Sequence, residues 1–216
     1  MKDRSEKSFV KIVENIWYHY KWAIIIGGLA LVMLIAGIAQ LASKKAPDVF
    51  IYHVSSEGVT VKSVERLTDS LSEIASDYNR DGVVNVDFKE EIYIPDVISA
   101  GEGQLSVTDS FNLELFAGEC VIYIMDESFY LGNRDYMVDL VDVLGYVPKA
   151  AYDDKALLLS QLPAYESTPG LMDLPEESFI CVRKERVGLN EMDETIYANN
   201  LEFFRKFVEF ASYSES

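Results

Sequence analysis

The chain has 216 residues, of which 49% are hydrophobic, and a formal net charge of −17. Residues 46–216 provide about 170 residues, enough for one globular domain with a buried core. The first 45 residues hold seven basic and three acidic side chains, which leaves 12 basic against 33 acidic, a net charge of −21, for residues 46–216. No nucleic acid is expected as a partner, because phosphate binding needs clustered Lys and Arg. The acidic excess favours divalent cations or basic surfaces as partners, or serves solubility alone.

The N-terminal segment predicts a transmembrane helix over residues 23–42. No charged residue occurs between Ala23 and Ala42, and a helix of that length spans about 30 Å, the thickness of the hydrocarbon core. Four aromatic residues suited to the headgroup layer precede it: Trp17, Tyr18, Tyr20 and Trp22. A cleaved signal peptide is the alternative. Its apolar run is usually shorter, however, and a small-x-small cleavage site before Lys44 is lacking.

Basic residues at the two ends of this span predict its orientation. Five precede it and two follow closely: Lys2, Arg4, Lys7, Lys11 and Lys21 against Lys44 and Lys45. By the positive-inside rule, residues 1–22 are cytoplasmic and interfacial. A short linker, residues 43–47, then leads to an extracytoplasmic domain over residues 48–216, held at the cell membrane.

Residues 48–216 alternate between strand and helix patterns. Apolar runs of strand length lie at residues 49–54, 83–94, 120–125 and 179–182, and helical patterns at 61–78, 107–116, 133–144 and 194–211. Alternating elements with continuously apolar strands indicate an α/β fold. We expect a three-layer αβα domain with a mostly parallel sheet, preceded by the transmembrane helix.

One segment between a predicted helix and a predicted strand has the pattern of a calcium loop. Residues 77–85 read D-x-N-x-D-G-x-V-N, with oxygen-bearing side chains at positions 1, 3, 5 and 9 and a glycine for the sharp turn at position 6. The predicted ligands are Asp77, Asn79, Asp81, Asn85 and the main-chain carbonyl of Val83. Position 12, where an EF-hand has a bidentate Glu, is Phe88. A plain polar turn is the alternative, since Asn, Asp and Gly favour turns for local reasons.

This helix–loop–strand unit resembles the calcium loop of the bacterial glucose/galactose-binding proteins. In that loop nine EF-like residues lead into a strand and a distant Glu completes the site. The resemblance implies one bound Ca²⁺ and a distal carboxylate that the sequence does not identify.

Two further resemblances concern other parts of the chain. The element order and the segment Ala117-Gly118-Glu119-Cys120-Val121-Ile122-Tyr123-Ile124 resemble the first lobe of an extracellular solute-binding protein over residues 48–145. This likeness implies a small polar solute as partner, although the chain is too short for two complete lobes. The run Trp17-Tyr18-His19-Tyr20-Lys21-Trp22 ahead of the span is similar to single-span proteins of Gram-positive bacteria, which implies a location in the cell envelope.

Polar residues follow two of the predicted strands. Ser55 and Ser56 come after the first strand, and Asp126, Glu127 and Ser128 after the third. Ligands collect at the carboxyl ends of strands in open α/β sheets, so these five residues form a possible ligand rim. Such a rim can bind a metal or polar ligand, or serve as general acid and base. The alternative is that Asp and Ser make the turn and cap the next helix.

No catalytic residue is predicted. Residues 46–216 contain one histidine, His53, within the first predicted strand, where a core position is expected; neither H-E-x-x-H nor G-x-S-x-G occurs. Cys120 and Cys181 fall in or beside predicted strands. An extracytoplasmic location permits a disulfide between them, whereas buried free thiols are the commoner arrangement.

The favoured interpretation is a membrane-anchored, non-catalytic binding or assembly module stabilised by one calcium ion. Its expected partners are the membrane and either another envelope protein or a small polar solute. The first alternative is a solute-binding or sensory accessory subunit that uses the rim. The second is an envelope hydrolase or transferase with acidic catalytic residues.

Overall fold

The computed structural model describes residues 2–42, 46–93, 103–188 and 190–212. The chain divides into two compact units, Met1–Lys45 and Ala46–Ser216. Linker residues 43–45 and residue 94, the predicted end of the second strand, lie outside the described residues.

The first unit is a single helix, α1 (Lys2–Ala42). Its apolar part, Trp17–Ile38, is 22 residues long and sufficiently apolar to cross a membrane. Large side chains along it, such as Ile26 and Met33, are each 64% exposed within the protein. A helix suited to anchoring is therefore present, as predicted, and the orientation of the chain across the bilayer stays a prediction.

The second unit is built on a five-stranded mixed sheet. Its strands are β1 (Val49–Ser55), β2 (Val86–Ile92), β3 (Ile122–Met125), β4 (Ala156–Leu158) and β5 (Phe179–Val182), in the spatial order β2-β1-β3-β5-β4. β1 pairs in parallel with β2 and β3, whereas β5 runs antiparallel to both β3 and β4. The predicted α/β class is confirmed. Parallel pairing is confined to β1 and its two neighbours, β2 and β3.

The helices of this unit are α2 (Val61–Ile74), α3 (Gly103–Ala117), α4 (Glu127–Asn133), α5 (Leu140–Leu144) and α6 (Glu194–Ser212). A small ribbon of β6 (Arg186–Val187) and β7 (Asn190–Glu191) precedes α6. Single turns of 3₁₀-helix occupy Arg134–Tyr136, Leu159–Gln161 and Leu171–Asp173.

Two predicted boundaries are wrong for local reasons. A single helix over 133–144 does not form, because Asp126 caps a helix directly after β3 and the side-chain amide of Asn133 bonds back to the Phe129 carbonyl at its far end. The second strand starts at Val86 rather than at residue 83. Asn85 is still part of the preceding loop, where its main chain is bonded to Asp48.

All seven residues of β1 are buried. Alternate side chains belong to two different buried clusters: Ile51 packs in one with Leu67 of α2 and Phe203 of α6, and Tyr52 packs in the other with Phe111 of α3. Successive strand residues point to opposite sides of a sheet, so β1 makes apolar contacts on both sides. This explains why its sequence is continuously apolar.

A buried amide joins β1 to the last helix. Asn200 of α6 is fully buried; its Oδ1 accepts from the Phe50 main-chain N–H at 2.9 Å, and its Nδ2 donates to the Ile196 carbonyl at 2.9 Å. The Phe50 N–H thus has a partner beyond the sheet ladder. The start of β1 is held against the first turns of α6.

The loop that carries Gly170 lies directly against α2. Gly170 has φ 86°, and a Cβ added there would lie 2.5 Å from the Leu67 nitrogen and 2.6 Å from its Cα. The Ser70 hydroxyl donates to the neighbouring Pro169 carbonyl at 3.1 Å. Backbone contact this close leaves room for no side chain.

We expect Gly170→Ala to lower the free energy of unfolding by at least about 2 kcal/mol, because the left-handed conformation and the backbone clash both oppose a side chain. Gly132→Ala is the matched control. Gly132 lies in α4 with no atom within 4 Å of an added Cβ, so alanine there should stabilise by up to about 1 kcal/mol. Denaturant unfolding of the full chain in detergent measures both. Equal effects would show that α2 and this loop are not in close contact.

Candidate functional site

Loop 77–85 connects α2 to β2 through two left-handed residues. Arg80 has φ 59° and Gly82 has φ 85°, at loop positions 4 and 6. Space around an added Cβ at Gly82 is open within 4 Å. The glycine is therefore required by the backbone conformation and not by crowding.

The side chains at positions 1, 3 and 5 fold back onto the main chain of the loop. Asp77 accepts from the N–H of Asp81 at 3.1 Å and of Gly82 at 2.8 Å. Asn79 Oδ1 also accepts from Asp81 N–H, at 2.9 Å, and Asp81 Oδ1 accepts from Val83 N–H at 2.9 Å. The structure thus brings together three of the predicted side-chain ligands, while Asn85 is held through its main chain.

A residue that the pattern did not single out holds both ends of this loop. Asp48 is 4% exposed; its Oδ1 accepts from the N–H groups of Tyr78 at 2.8 Å and Asn79 at 3.0 Å, and its Oδ2 accepts from Asn85 N–H at 3.0 Å. Asp48 N–H also donates to the Asn85 carbonyl at 2.8 Å. One carboxylate therefore closes the loop onto the residue that precedes β1.

The donor set of the loop is made only of oxygen, as Ca²⁺ prefers. The five predicted ligands are two carboxylates, two amides and one carbonyl, whereas Ca²⁺ takes six to eight ligands. No group of three His, Cys, Asp or Glu side chains able to hold a metal converges within the described residues. Both oxygens of Asp48 already accept main-chain N–H groups. Calcium binding in this loop stays a prediction, and it would need water molecules to complete the coordination shell.

The predicted rim residues partly converge at the carboxyl ends of β1 and β3. Asp126 Oδ2 accepts from Ser56 N–H at 3.3 Å, and Asp126 Oδ1 accepts from the Ser128 hydroxyl at 3.0 Å. Tyr93, which sequence reasoning missed, donates its hydroxyl to Asp126 and lies 2.9 Å from the Ser128 hydroxyl. Burial and the Asp126 hydrogen bond raise the pKa of Tyr93.

The same contacts favour the capping interpretation of Asp126. Its Oδ1 also accepts from Phe129 N–H at 3.2 Å as the N-cap of α4, so its two oxygens serve four donors. Ser55 donates to the Glu57 carbonyl at 2.5 Å, and Glu127 lies apart, accepting from the Tyr152 hydroxyl at 2.9 Å. These groups stabilise the strand ends, which leaves little capacity for a ligand.

Both cysteines are free and buried. Burial is the main cause that raises the pKa of the Cys120 and Cys181 thiols well above their ordinary value. The thiols stay protonated at neutral pH and are poor nucleophiles. Of the two alternatives left open by the sequence, the structure has the free thiols.

His53 is a core histidine. It is fully buried, its ring centre lies 5.7 Å from that of Phe88, and its Nδ1 lies 3.6 Å from Glu90 Oε1. In the described part of the chain neither ring nitrogen has a hydrogen-bond partner. Burial lowers the pKa of His53 below its ordinary value of 6.5, and the nearby Glu90 carboxylate only partly offsets this.

A cavity of about 400 Å³ lies beside loop 77–85, at the amino-terminal end of β1. Its lining comes from the start of β1, from the loop, from the segment after α3 and from the start of α6: Ala46, Pro47, Asp48, Phe50, Tyr78, Asn79, Glu119, Asp193, Thr195, Ile196 and Asn199. None of the five rim residues lines it. The cavity is at the opposite end of the parallel strands from the rim.

No family model, curated protein or solved structure matches this chain. The resemblances to a solute-binding lobe and to the calcium loop of the glucose/galactose-binding proteins therefore stay predictions. Function has to be inferred from the chemistry of loop 77–85 and of the cavity beside it.

We expect Asp48→Ala to destabilise the fold by about 3 kcal/mol, because three N–H groups lose a charged acceptor. Asp69→Ala is the matched control, since Asp69 is exposed on α2 and should change stability by less than about 0.5 kcal/mol. Urea unfolding of the full chain in detergent compares the two. Similar values for both variants would show that Asp48 does not hold the loop.

Stability should fall as the pH drops below 6.5, because His53 is buried in its neutral form and the unfolded chain takes up the proton more readily. The free energy of unfolding can fall by about 1.4 kcal/mol per pH unit over the range between the pKa of His53 in the unfolded chain and its lower pKa in the folded protein. His53→Gln should remove this slope, whereas His19→Gln, at the chain's other histidine, should keep it. Denaturant unfolding from pH 7.5 to 5 gives the slopes. An unchanged slope in His53→Gln would contradict the assignment.

Proposed function

We propose that this protein is a membrane-anchored, non-catalytic binding or assembly module whose extracytoplasmic domain holds one Ca²⁺ in loop 77–85. The proposed architecture of that domain is three-layer αβα. The observation that carries the proposal is the folded-back arrangement of Asp77, Asn79 and Asp81 around two left-handed residues. It gathers the oxygens at positions 1, 3 and 5, as an oxygen-seeking cation requires.

Calcium would act structurally in this loop. Each carboxylate oxygen can accept two hydrogen bonds, so the single N–H bonds made by the two Asp77 oxygens leave further lone pairs free. A bound cation would relieve the repulsion between Asp77 and Asp81 in a domain that is already strongly acidic. Asp48 holds the loop ends independently of any metal, so little ordering entropy is lost on binding. Extracellular calcium modules typically bind at about 10⁻⁴–10⁻³ M.

The anchor and its direction rest on α1. Trp17–Ile38 is long and apolar enough to span a bilayer, and five basic residues precede the uncharged stretch 23–42 against two that follow it closely. This asymmetry favours a cytoplasmic N-terminus and an extracytoplasmic domain. The proposed partner is another envelope protein or a small polar solute. The solute-binding alternative that uses the rim is weaker, since Asp126 is engaged by four donors.

Millimolar Ca²⁺ should raise the melting temperature of the full chain in detergent relative to chelator, with a stabilisation of about 1.4 kcal/mol at a calcium concentration ten times Kd. Asp81→Asn should remove most of this effect, because a carboxylate ligand is lost. Asp87→Asn, at the out-of-register position 11, changes the net charge equally and should leave the effect intact. Mg²⁺ is the second control, as it favours a smaller octahedral shell.

Two results would contradict the calcium site. One is a melting temperature that does not depend on Ca²⁺ between chelator and 10 mM, a range chosen around the expected affinity of about 10⁻⁴–10⁻³ M. The other is an equal loss of the calcium effect in Asp81→Asn and Asp87→Asn. Either outcome would mean that residues 77–85 form a turn held by Asp48 and do not bind calcium.

A further inference from the structure

We propose that the 400 Å³ cavity at the amino-terminal end of β1 binds a small organic cation, an ammonium group on a short apolar stem. The inference rests on the proposed function in one respect, that the domain is a binding module. It names the ligand class and a site distinct from the calcium loop, with which the cavity shares only Tyr78 and Asn79.

The cavity is large enough for a ligand, and its floor is preformed. Small-molecule pockets have volumes of about 300–1,000 Å³. The floor is made by the buried residues Asp48 and Phe50. Asp48 bonds to the loop through three N–H groups, and Asn200 bonds Phe50 to α6. These contacts hold loop 77–85, the start of β1 and the start of α6 at fixed positions, so a ligand does not have to order the cavity when it binds.

The charge of the lining selects a cation. Three lining residues are acidic, and the described lining contains no Lys or Arg. Asp193 Oδ1 caps α6 by accepting from Thr195 and Ile196 N–H groups at 2.8 and 3.1 Å, and Oδ2 makes no hydrogen bond with the described residues. Glu119 is exposed and follows the last residue of α3 by two positions. The partial negative charge at that helix end adds to the carboxylate.

The cation is expected to be organic rather than a bare metal ion. Apolar surface from Phe50, Tyr78 and Ile196 lines the space between the charged groups, and such a surface suits a hydrocarbon stem. Tyr78 already has an ammonium group over its ring, since Lys206 Nζ lies 5.7 Å from the ring centre. Lys206 does not line the cavity and is paired with Glu202 at 2.6 Å.

Calorimetric titration of the full chain in detergent tests the site with two probes of matched length. The probes are 5-amino-1-pentanol, which is cationic at pH 7, and 1,5-pentanediol, which is neutral. We expect the amine to bind and the diol not to bind. Equal binding of both probes, or no binding of the amine up to 50 mM, would overturn the proposal.

Two variants with matched controls test the carboxylates. Glu119→Gln and Asp193→Asn should each weaken amine binding by about fivefold, and Asn retains the capping function at 193. Glu65→Gln removes one charge from an exposed site on α2 outside the cavity and should not change the affinity. Unchanged melting temperatures would show that the variants remain folded. Equal effects of Glu119→Gln and Glu65→Gln would mean that only the net charge matters, and would overturn the site.

A further arm identifies the source of the ammonium group. Acetyl-Gly-Lys-Gly-amide carries the same group on a peptide. Tighter binding of the peptide than of the amine supports a lysine side chain of a partner protein, and the reverse supports a free amine; both support the cation site.

Every titration is repeated with chelator and with 5 mM Ca²⁺, which separates this proposal from the calcium proposal. Amine binding that persists in chelator, without calcium stabilisation, would contradict the calcium proposal alone. Calcium stabilisation without amine binding would contradict this one alone.

Discussion

The carboxylate of Asp48 is the constraint on which loop 77–85 and the cavity beside it depend. It lies at the entrance to β1 and accepts N–H groups from both ends of loop 77–85. Burying a charge is unfavourable unless hydrogen bonds satisfy it, and here three main-chain donors do so. The same carboxylate forms the floor of the cavity. The buried carboxylate of Asp48 thus fixes the positions of loop 77–85, the start of β1 and the floor of the cavity.

Most of the architecture could be read from the chain because its signals are local. The turn at Asp77, Asn79 and Asp81 follows from residue types within nine positions, and the strand β3 follows from one apolar run. Calcium binding in that turn stays a prediction. Asp48 gave no such signal, because its partners are main-chain groups 30 to 37 residues away. Tyr93 was missed for the same reason, as its partner Asp126 is 33 residues distant.

The direction of β5 could not be predicted either. An apolar run such as Phe179–Val182 predicts a buried strand. It does not predict the direction of that strand, because a parallel and an antiparallel strand are buried equally. Its antiparallel register with β3, where Tyr123 faces Cys181, follows from how the irregular segment before it returns to the sheet. The boundaries of α4 depend on one cap, Asp126, a residue for which the sequence left both a capping role and a ligand role open.

The two outer strands of the sheet have a bearing on self-association. β2 forms one edge and carries four charged side chains among its seven residues. β4 forms the other edge with only three residues, and its outer side is bonded to residues 150–152. Exposed edges can pair with strands of another molecule, and charged or very short edges oppose this. Molecules anchored in a bilayer, as we propose for this protein, meet their own copies at high local density. With these edges, repeated encounters need not end in the intermolecular sheets from which aggregates grow.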